Sequence, residues 1–349
     1  MTVAPIRRMV AAALAAACLL GVTACGGDAT LPAEVEGQVP ETTTTVAPTQ
    51  PECTDAQLAE SPTRTYPPLD PMPEEAAADM PAMPIGSTMH DIQEKGYLTV
   101  GVSGDTLLFG SRNPLTDQIE GFDIDVLKEV AKAIFGDDGE DKIVYRVITY
   151  AQRLPSLESG DVDIVAHTMT INCRRWLRIA FSSVYYLAGQ KVLVQKDSGF
   201  DSIDALNDAS ARVCAPEGST NIDYLRDPEN ELDGIEVIGK ADITDCLVAM
   251  QQGEADATTG DDTVLAGFAA QDPSTEVVGD PFTEEPYGLG MSLNPDRVDF
   301  VEFVNGVLER IRANGRLDEI NQDWLVDTGA LKPDQITPVP APDYTRPLP

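Results

Sequence analysis

Asp163-Ile164-Val165-Ala166-His167-Thr168-Met169-Thr170-Ile171-Asn172-Cys173-Arg174-Arg175 is the stretch on which the reading of this chain turns. An apolar strand, Ile164 to Ala166, opens onto hydroxyl residues and then onto an arginine at the start of the next helix. A strand end leaves backbone groups free, and arginine offers a planar fork of donors matched to two carboxylate oxygens. Farther on, Asp256-Ala257-Thr258-Thr259-Gly260-Asp261-Asp262 repeats the apolar-to-polar opening, now ending in acids. One strand end suits a carboxylate and the other an ammonium. Together they suit a zwitterion.

Around these two openings, strands and helices alternate. Tyr97 to Val102, Lys142 to Val147 and Ile164 to Ala166 read as strands. Phe122 to Ile134 reads as a helix with apolar residues at i, i+3 and i+4, and Leu154 to Ser159 as a short one. A second set follows, with strands at Val192–Val194, Arg212–Cys214 and Glu236–Ile238. Its helices lie around Ile203–Leu206, from Asn221, and over Asp245–Gln252. Two helices, Val298–Asn314 and Leu317–Leu325, close the series. The alternation predicts α/β lobes with largely parallel sheets, and about 245 residues are natural for two lobes rather than one core.

The flanks read differently. Residues 26 to about 85 are rich in Pro, Thr, Ala and Glu with no apolar period, which predicts an extended, disordered tether. The proline-rich tail after Lys332 reads as irregular. At the N-terminus, Arg7 and Arg8 precede an apolar run, Met9 to Val22, that is short for a membrane span and fits an export signal. Val22-Thr23-Ala24-Cys25-Gly26 resembles the lipobox of bacterial lipoproteins, in which the cysteine becomes the lipidated first residue. The plainer alternative is a secretory signal with an incidental cysteine. No other run approaches the ~20 apolar residues of a spanning helix.

Export sets an oxidising compartment. With Cys18 lost in the signal and Cys25 carrying lipid, Cys53, Cys173, Cys214 and Cys246 remain, and four cysteines allow three pairings. Cys214 and Cys246 share the second half of the folded region, which favours Cys214–Cys246 with Cys53–Cys173. A metal site is the competing use, but no Cys-x-x-Cys is present and the chain has only 2 histidines. With 58 acids against 24 bases the net charge is −34, which excludes nucleic acid as a partner, because phosphate binding needs a basic face. His167, a lone histidine at a strand end, is a satisfied polar residue sooner than a base. No Ser/His/Asp order or phosphate loop stands out, so no enzyme activity or cofactor is predicted.

The order and spacing of several segments carry a resemblance. They are Gly121-Phe122-Asp123-Ile124-Asp125, Arg153-Leu154-Pro155-Ser156-Leu157, Thr168-Met169-Thr170-Ile171, Gly218-Ser219-Thr220, Asp261-Asp262-Thr263 and Asn314-Gly315-Arg316-Leu317-Asp318. Over residues 90 to 330 the chain resembles bacterial extracellular solute-binding proteins of the polar-amino-acid class that feed ABC importers. It is especially similar to actinobacterial glutamine/glutamate-binding lipoproteins, which share the Asn172-Cys173-Arg174 and Asp245-Cys246-Leu247-Val248-Ala249 segments. The resemblance implies a type II periplasmic-binding-protein clamshell with two crossovers, near Tyr186–Gln190 and Glu285–Gly288. The expected organisation is a signal at 1–24, a tether at 25–85, a first lobe at 86–187 with 288–330, a second lobe at 188–287, and an irregular tail at 331–349.

The resemblance also implies residue roles. Arg175 corresponds to the family's carboxylate-binding arginine, and Thr170 and Thr168 to positions giving hydroxyl and backbone contacts. Ser219 and Thr220 open a helix whose free N–H groups suit an anion, although Ser219 also fits an ordinary N-cap. Asp261 matches the ammonium-binding acid; capping the next helix is its plainer use. Arg153 stands where relatives that take glutamate or aspartate often place an arginine for the side-chain carboxylate, and Tyr150 where an aromatic flanks the aliphatic stem. Ser103 replaces an aspartate common in relatives, which leaves ligand identity open among glutamate, aspartate, glutamine and asparagine. The partners expected are the ligand, an ABC permease and, through the lipid, the extracytoplasmic face of the membrane, with the chain acting as a monomer. A sensor reporting occupancy to a membrane partner needs the same pocket, and a dehydratase on the same fold is the remaining alternative.

Overall fold

Apolar strands flanked by amphipathic helices build the core. In the computed structural model, which describes residues 53, 62–69, 72 and 81–346, the helix Phe122–Phe135 buries Phe122, Val126, Leu127, Val130, Ala131 and Ile134 along one stripe. The helix Val298–Ala313 does the same with Phe300, Val304, Val307 and Ile311. The first packs on a five-stranded sheet and the second packs on the first; the strands lie in the order Ile143–Val147, Leu98–Val102, Ile164–Ala166, Gly290–Ser292, Ile179–Phe181. All five residues of Leu98–Val102 are buried, as a strand covered on both faces requires.

A second five-stranded sheet runs Glu236–Lys240, Arg212–Pro216, Ala257–Asp261, Gln190–Gln195, Thr275–Val278. Both sheets are parallel apart from one reversed strand each. Gln190–Gln195 is antiparallel to both its neighbours in the second sheet, and Gly290–Ser292 to both of its neighbours in the first. Each reversed strand is the one that the chain brings over from the other lobe. The two passages run side by side, Tyr186–Ala188 paired antiparallel with Glu285–Tyr287. This is a type II clamshell with two hinge crossovers. Alternation alone predicted the parallel strands and not the reversed ones, because direction within a sheet is set by which lobe a strand comes from.

The signal and Cys25 lie outside the described residues, as does most of the tether. Within the stretch expected to be an unstructured tether, however, Pro62–Leu69 is seated on the first lobe. Tyr66 and Thr65 are buried. Asn305, buried in the long helix, donates to Thr65 Oγ1 at 3.2 Å and Tyr66 O at 2.7 Å and accepts from Ser183 N at 2.7 Å. Thr65 N also donates to Asp343 O at 2.9 Å, so this segment and the tail run together. The low-complexity composition hides a short segment whose backbone bonds are satisfied by an asparagine and by the tail. The tail is irregular as expected but also packed: the Arg346 guanidinium lies 3.5 Å from the Trp176 ring centroid, and Tyr344 donates to Glu309 at 2.6 Å.

Two disulfides are present, Cys53–Cys173 and Cys214–Cys246, with Cα separations of 6.2 and 5.4 Å. The first ties the N-terminal extension to Cys173–Trp176, the short helix that carries Arg175. The second ties Arg212–Pro216 to the helix Ile243–Gln251.

Candidate ligand-binding cleft

The first lobe's contribution begins where Ile164–Ala166 ends. Thr168 adopts φ +42°, a left-handed conformation costly for a β-branched residue. It is held there by Asp123, whose Oδ2 accepts from Thr168 N at 2.8 Å while Oδ1 accepts from Tyr185 Oη at 2.6 Å. Burial pushes the Asp123 carboxyl up to about 6 against the pull of these two donors. The next turn brings in Arg175, on a helix whose N-cap, Asn172, accepts from Arg175 N at 3.0 Å. Arg175 Nη1 donates to Thr170 O at 2.6 Å and Nη2 to Gly218 O, in the second lobe, at 3.4 Å.

Arg153 is 1% exposed, and four backbone carbonyls take its fork. Nε donates to Tyr150 O at 3.0 Å, Nη1 to His167 O at 3.0 Å and Thr168 O at 3.3 Å, and Nη2 to Gly218 O at 3.0 Å. A guanidinium has five N–H donors, so one remains for anything else. Its carbon lies 4.6 Å from the centroid of the Tyr150 ring, and that ring meets His167 edge-on at 4.6 Å. Burial, and then the neighbouring charge of Arg175, lower Arg153 to about 9. The same burial keeps His167 neutral, at about 3.

Across the cleft, Asp261 ends the strand Ala257–Asp261 and is 6% exposed. Its Oδ1 accepts from Asn221 Nδ2 at 2.8 Å, and its Oδ2 accepts from Tyr287 Oη. Burial, followed by the charge of Glu285, pushes the Asp261 carboxyl up to about 7. A cation brought beside this acid would favour its ionised form. Gly218 closes the cleft: at φ +80° it brings its backbone so near the first lobe that a Cβ would stand 2.8 Å from Ala151 Cα.

The structure thus brings together Arg175, Arg153, Thr170, Thr168, Tyr150, Thr220 and Asp261. It commits other hydroxyls elsewhere. Ser219 caps the helix Thr220–Arg226, accepting from Ile222 N at 3.1 Å and donating to Pro216 O at 2.7 Å. Ser103 closes its own turn, donating to Asp105 Oδ1 at 2.9 Å and accepting from Thr106 N at 3.1 Å. Asp262 accepts from Thr263 N at 2.7 Å and serves its helix. Three residues of the cleft were invisible in the sequence reading: Asn221 and Tyr287, which hold Asp261, and Glu285. Asp123 stood only in a motif with no role attached. Two cavities of about 200 and 490 Å³ border these residues, the smaller lined by Tyr150, Arg175 and Gly218 and the larger by Thr220 and Glu285, with Arg174 and Asp223 in the walls of both. Among the described residues, His90, Asp91 and Glu94 bring possible metal ligands within 4.8 Å of one another, on the surface of the helix Thr88–Lys95 and apart from these cleft residues.

Comparison with known proteins places the chain in a class. Residues 98–327 match the model of the bacterial extracellular solute-binding proteins, family 3, and the chain belongs to that family. It is 36% identical over 243 residues to the ABC transporter glutamine-binding protein GlnH of Bacillus subtilis, covering 70% of this chain and 86% of that one. It is 33% identical over 232 residues to the glutamate-binding protein GluB of Corynebacterium efficiens, covering 64% and 76%. The crystal structure of the ancestral amino acid-binding protein AncCDT-1, a precursor of cyclohexadienyl dehydratase, superposes with a TM-score of 0.61 at 28% identity. That match covers 68% of this chain and 99% of the other.

Proposed function

We propose that this chain captures a polar amino acid outside the cell, glutamate, aspartate, glutamine or asparagine, and hands it to an ABC importer. The single observation that carries the reading is the placement of Arg175 and Asp261 in facing lobes of one buried cleft. A guanidinium fork meets the ligand's α-carboxylate, and the raised acid ionises as it takes up the α-ammonium. Thr168 and Thr170 support the carboxylate end through the turn that Asp123 holds, and Tyr150 lies along the ligand stem. Relatives named for glutamine and glutamate support the ligand class. The protein works as a monomer, anchored by lipid on Cys25 at the extracytoplasmic face. Relatives named as binding proteins support a carrier that releases its ligand unchanged.

One observation favours a second reading, a sensor. Cys53–Cys173 fastens the membrane-proximal extension to the helix of Arg175, so occupancy of the cleft and the posture of the tether act on the same short element. Calorimetry with all twenty amino acids on the soluble form from residue 26 tests the common core of both readings. One or more of the four ligands should bind 1:1 with micromolar or tighter affinity. Heat from none of the four sinks both.

A further inference from the structure

Arg175 is presented by Cys173–Trp176, a helix of a single turn. Isolated helices below about 12 residues are marginal in water, so this turn takes its position from what packs on it. The Arg175 side chain leaves on the cleft side. Cys173 and Trp176, three residues apart, share the other side of the turn, and both are gripped there. Cys173 is bonded to Cys53. Trp176 is 4% exposed, and its Nε1 donates to Pro62 O at 2.5 Å. Tyr66 meets the indole edge-on with centroids 6.4 Å apart, and the Arg346 guanidinium covers its ring.

The segments that do the gripping are fastened to each other and to the sheet. Arg346 N donates to Thr65 O at 3.2 Å, which joins the tail to the N-terminal extension. Thr65 Oγ1 donates to Phe181 O at 2.7 Å, and the Phe181 ring meets Trp176 edge-on at 5.5 Å. The indole is therefore enclosed by the extension, the tail and the edge strand Ile179–Phe181. Cys53, Pro62, Tyr66 and Arg346 all lie outside residues 98–327, the span that matches the family model. A segment needed only for reach has no use for a buried indole and a covalent bond to the turn that carries Arg175. A side chain held in place before its ligand arrives has less freedom to lose on binding. Arg175 Nη1 donates to Thr170 O, just before the same turn, so any tilt of the turn carries the fork with it.

We propose that Trp176 is a positioning residue: through it and Cys173, the N-terminal extension and the tail fix the turn of Arg175 and so set the affinity of the cleft. The inference rests on Arg175 meeting the ligand carboxylate. Calorimetry on the mature chain with L-glutamine, L-glutamate, L-asparagine and L-aspartate finds the tightest of the four, which then serves as the probe. Trp176→Leu keeps the site apolar and removes both the indole donor and the ring under Arg346. Its Kd, measured well below its melting temperature, should rise at least threefold. Trp324→Leu is the matched control: that indole donates to Asp125 Oδ2 at 2.8 Å, and its loss should lower the melting temperature while moving Kd less than threefold. A Kd for Trp176→Leu within threefold of the wild type, or an equal loss in the control, overturns the inference and leaves the functional reading intact. Should Trp176→Leu fail to fold, the double variant Cys53→Ser, Cys173→Ser carries the test with the same threefold threshold. A wild type that binds none of the four overturns the functional reading, and this inference with it.

Discussion

Gly218→Ala separates the energetics of folding from those of closure. Alanine at φ +80° is strained in every state of the folded chain, which costs about 1–2 kcal/mol of stability. The second effect exists only when the jaws are shut. The new Cβ would stand 2.8 Å from Ala151 Cα, 3.1 Å from Ala151 N and 3.3 Å from Ala151 Cβ. Carbon atoms in contact prefer about 3.5–4.0 Å. Two of these neighbours are backbone atoms of the other lobe, so no side chain can swing aside, and relief comes only by opening the cleft a fraction of an ångström. Overpacking of this kind costs about 1–3 kcal/mol, and it also lengthens the Arg153 and Arg175 bonds to Gly218 O. Because the open form escapes the clash, nearly the whole cost falls on binding, a loss of about 5- to 150-fold in affinity. Calorimetry measures that loss, and small-angle scattering should show the ligand-saturated variant more open than the wild type. An affinity within threefold of the wild type, with equal compaction on ligand addition, would refute closure through Gly218.

Arg175→Ala removes the fork that meets the ligand carboxylate, so affinity for the ligand should fall by about 2–5 kcal/mol, the usual cost of truncating one partner of a buried charge pair in a complex. Melting temperature should move far less than ligand affinity, since burial already disfavours the Arg175 charge in the empty cleft. Binding should also depend on pH through Asp261. Its folded pKa of about 7 lies above the ordinary value of 3.8, so ionising it in the empty protein costs stability that is fully present below pH 4 and lost as pH rises through 7. The ligand ammonium reverses this preference, so binding releases a proton and affinity should be roughly tenfold weaker at pH 6 than at pH 8. Asp261→Asn should flatten that profile, measured by calorimetry in buffers of differing ionisation enthalpy. Replacing Cys53 and Cys173 with alanine opens a link between residues 120 apart and should lower unfolding stability by about 2–5 kcal/mol in chemical denaturation. An unchanged midpoint would show the N-terminal extension to be an idle attachment.

The strand-to-helix openings around Thr168–Arg175 and Asp256–Asp262 were legible because their information is local: β-periodicity, then hydroxyls, an arginine or acids at the strand end. The same holds for the helices Phe122–Phe135 and Val298–Ala313, whose stripes can be counted. Short strands such as Ile179–Phe181 and Gly290–Ser292 were not legible, since three residues carry no period and their pairing is decided by the crossovers. Glu285 was hidden for a related reason. It meets Thr170 across 115 residues of chain, and nothing in Glu285-Pro286-Tyr287 marks a cleft residue. Arg153 shows the opposite failing: an arginine in a candidate site attracts a ligand role, while three of its four carbonyl partners come from segments at least fourteen residues away. Pro62–Leu69 was misread as tether because composition cannot show that Asn305, far along the chain, satisfies its backbone.

A crystal structure of the mature chain with L-glutamine bound would bear most directly on these ideas. The α-carboxylate should lie in two-point contact with the Arg175 guanidinium and the α-ammonium within hydrogen-bonding distance of Asp261, with both lobes touching the ligand. A ligand seated elsewhere, or one whose ends are met by water while Arg175 and Asp261 keep only their present protein partners, would contradict the zwitterion clamp.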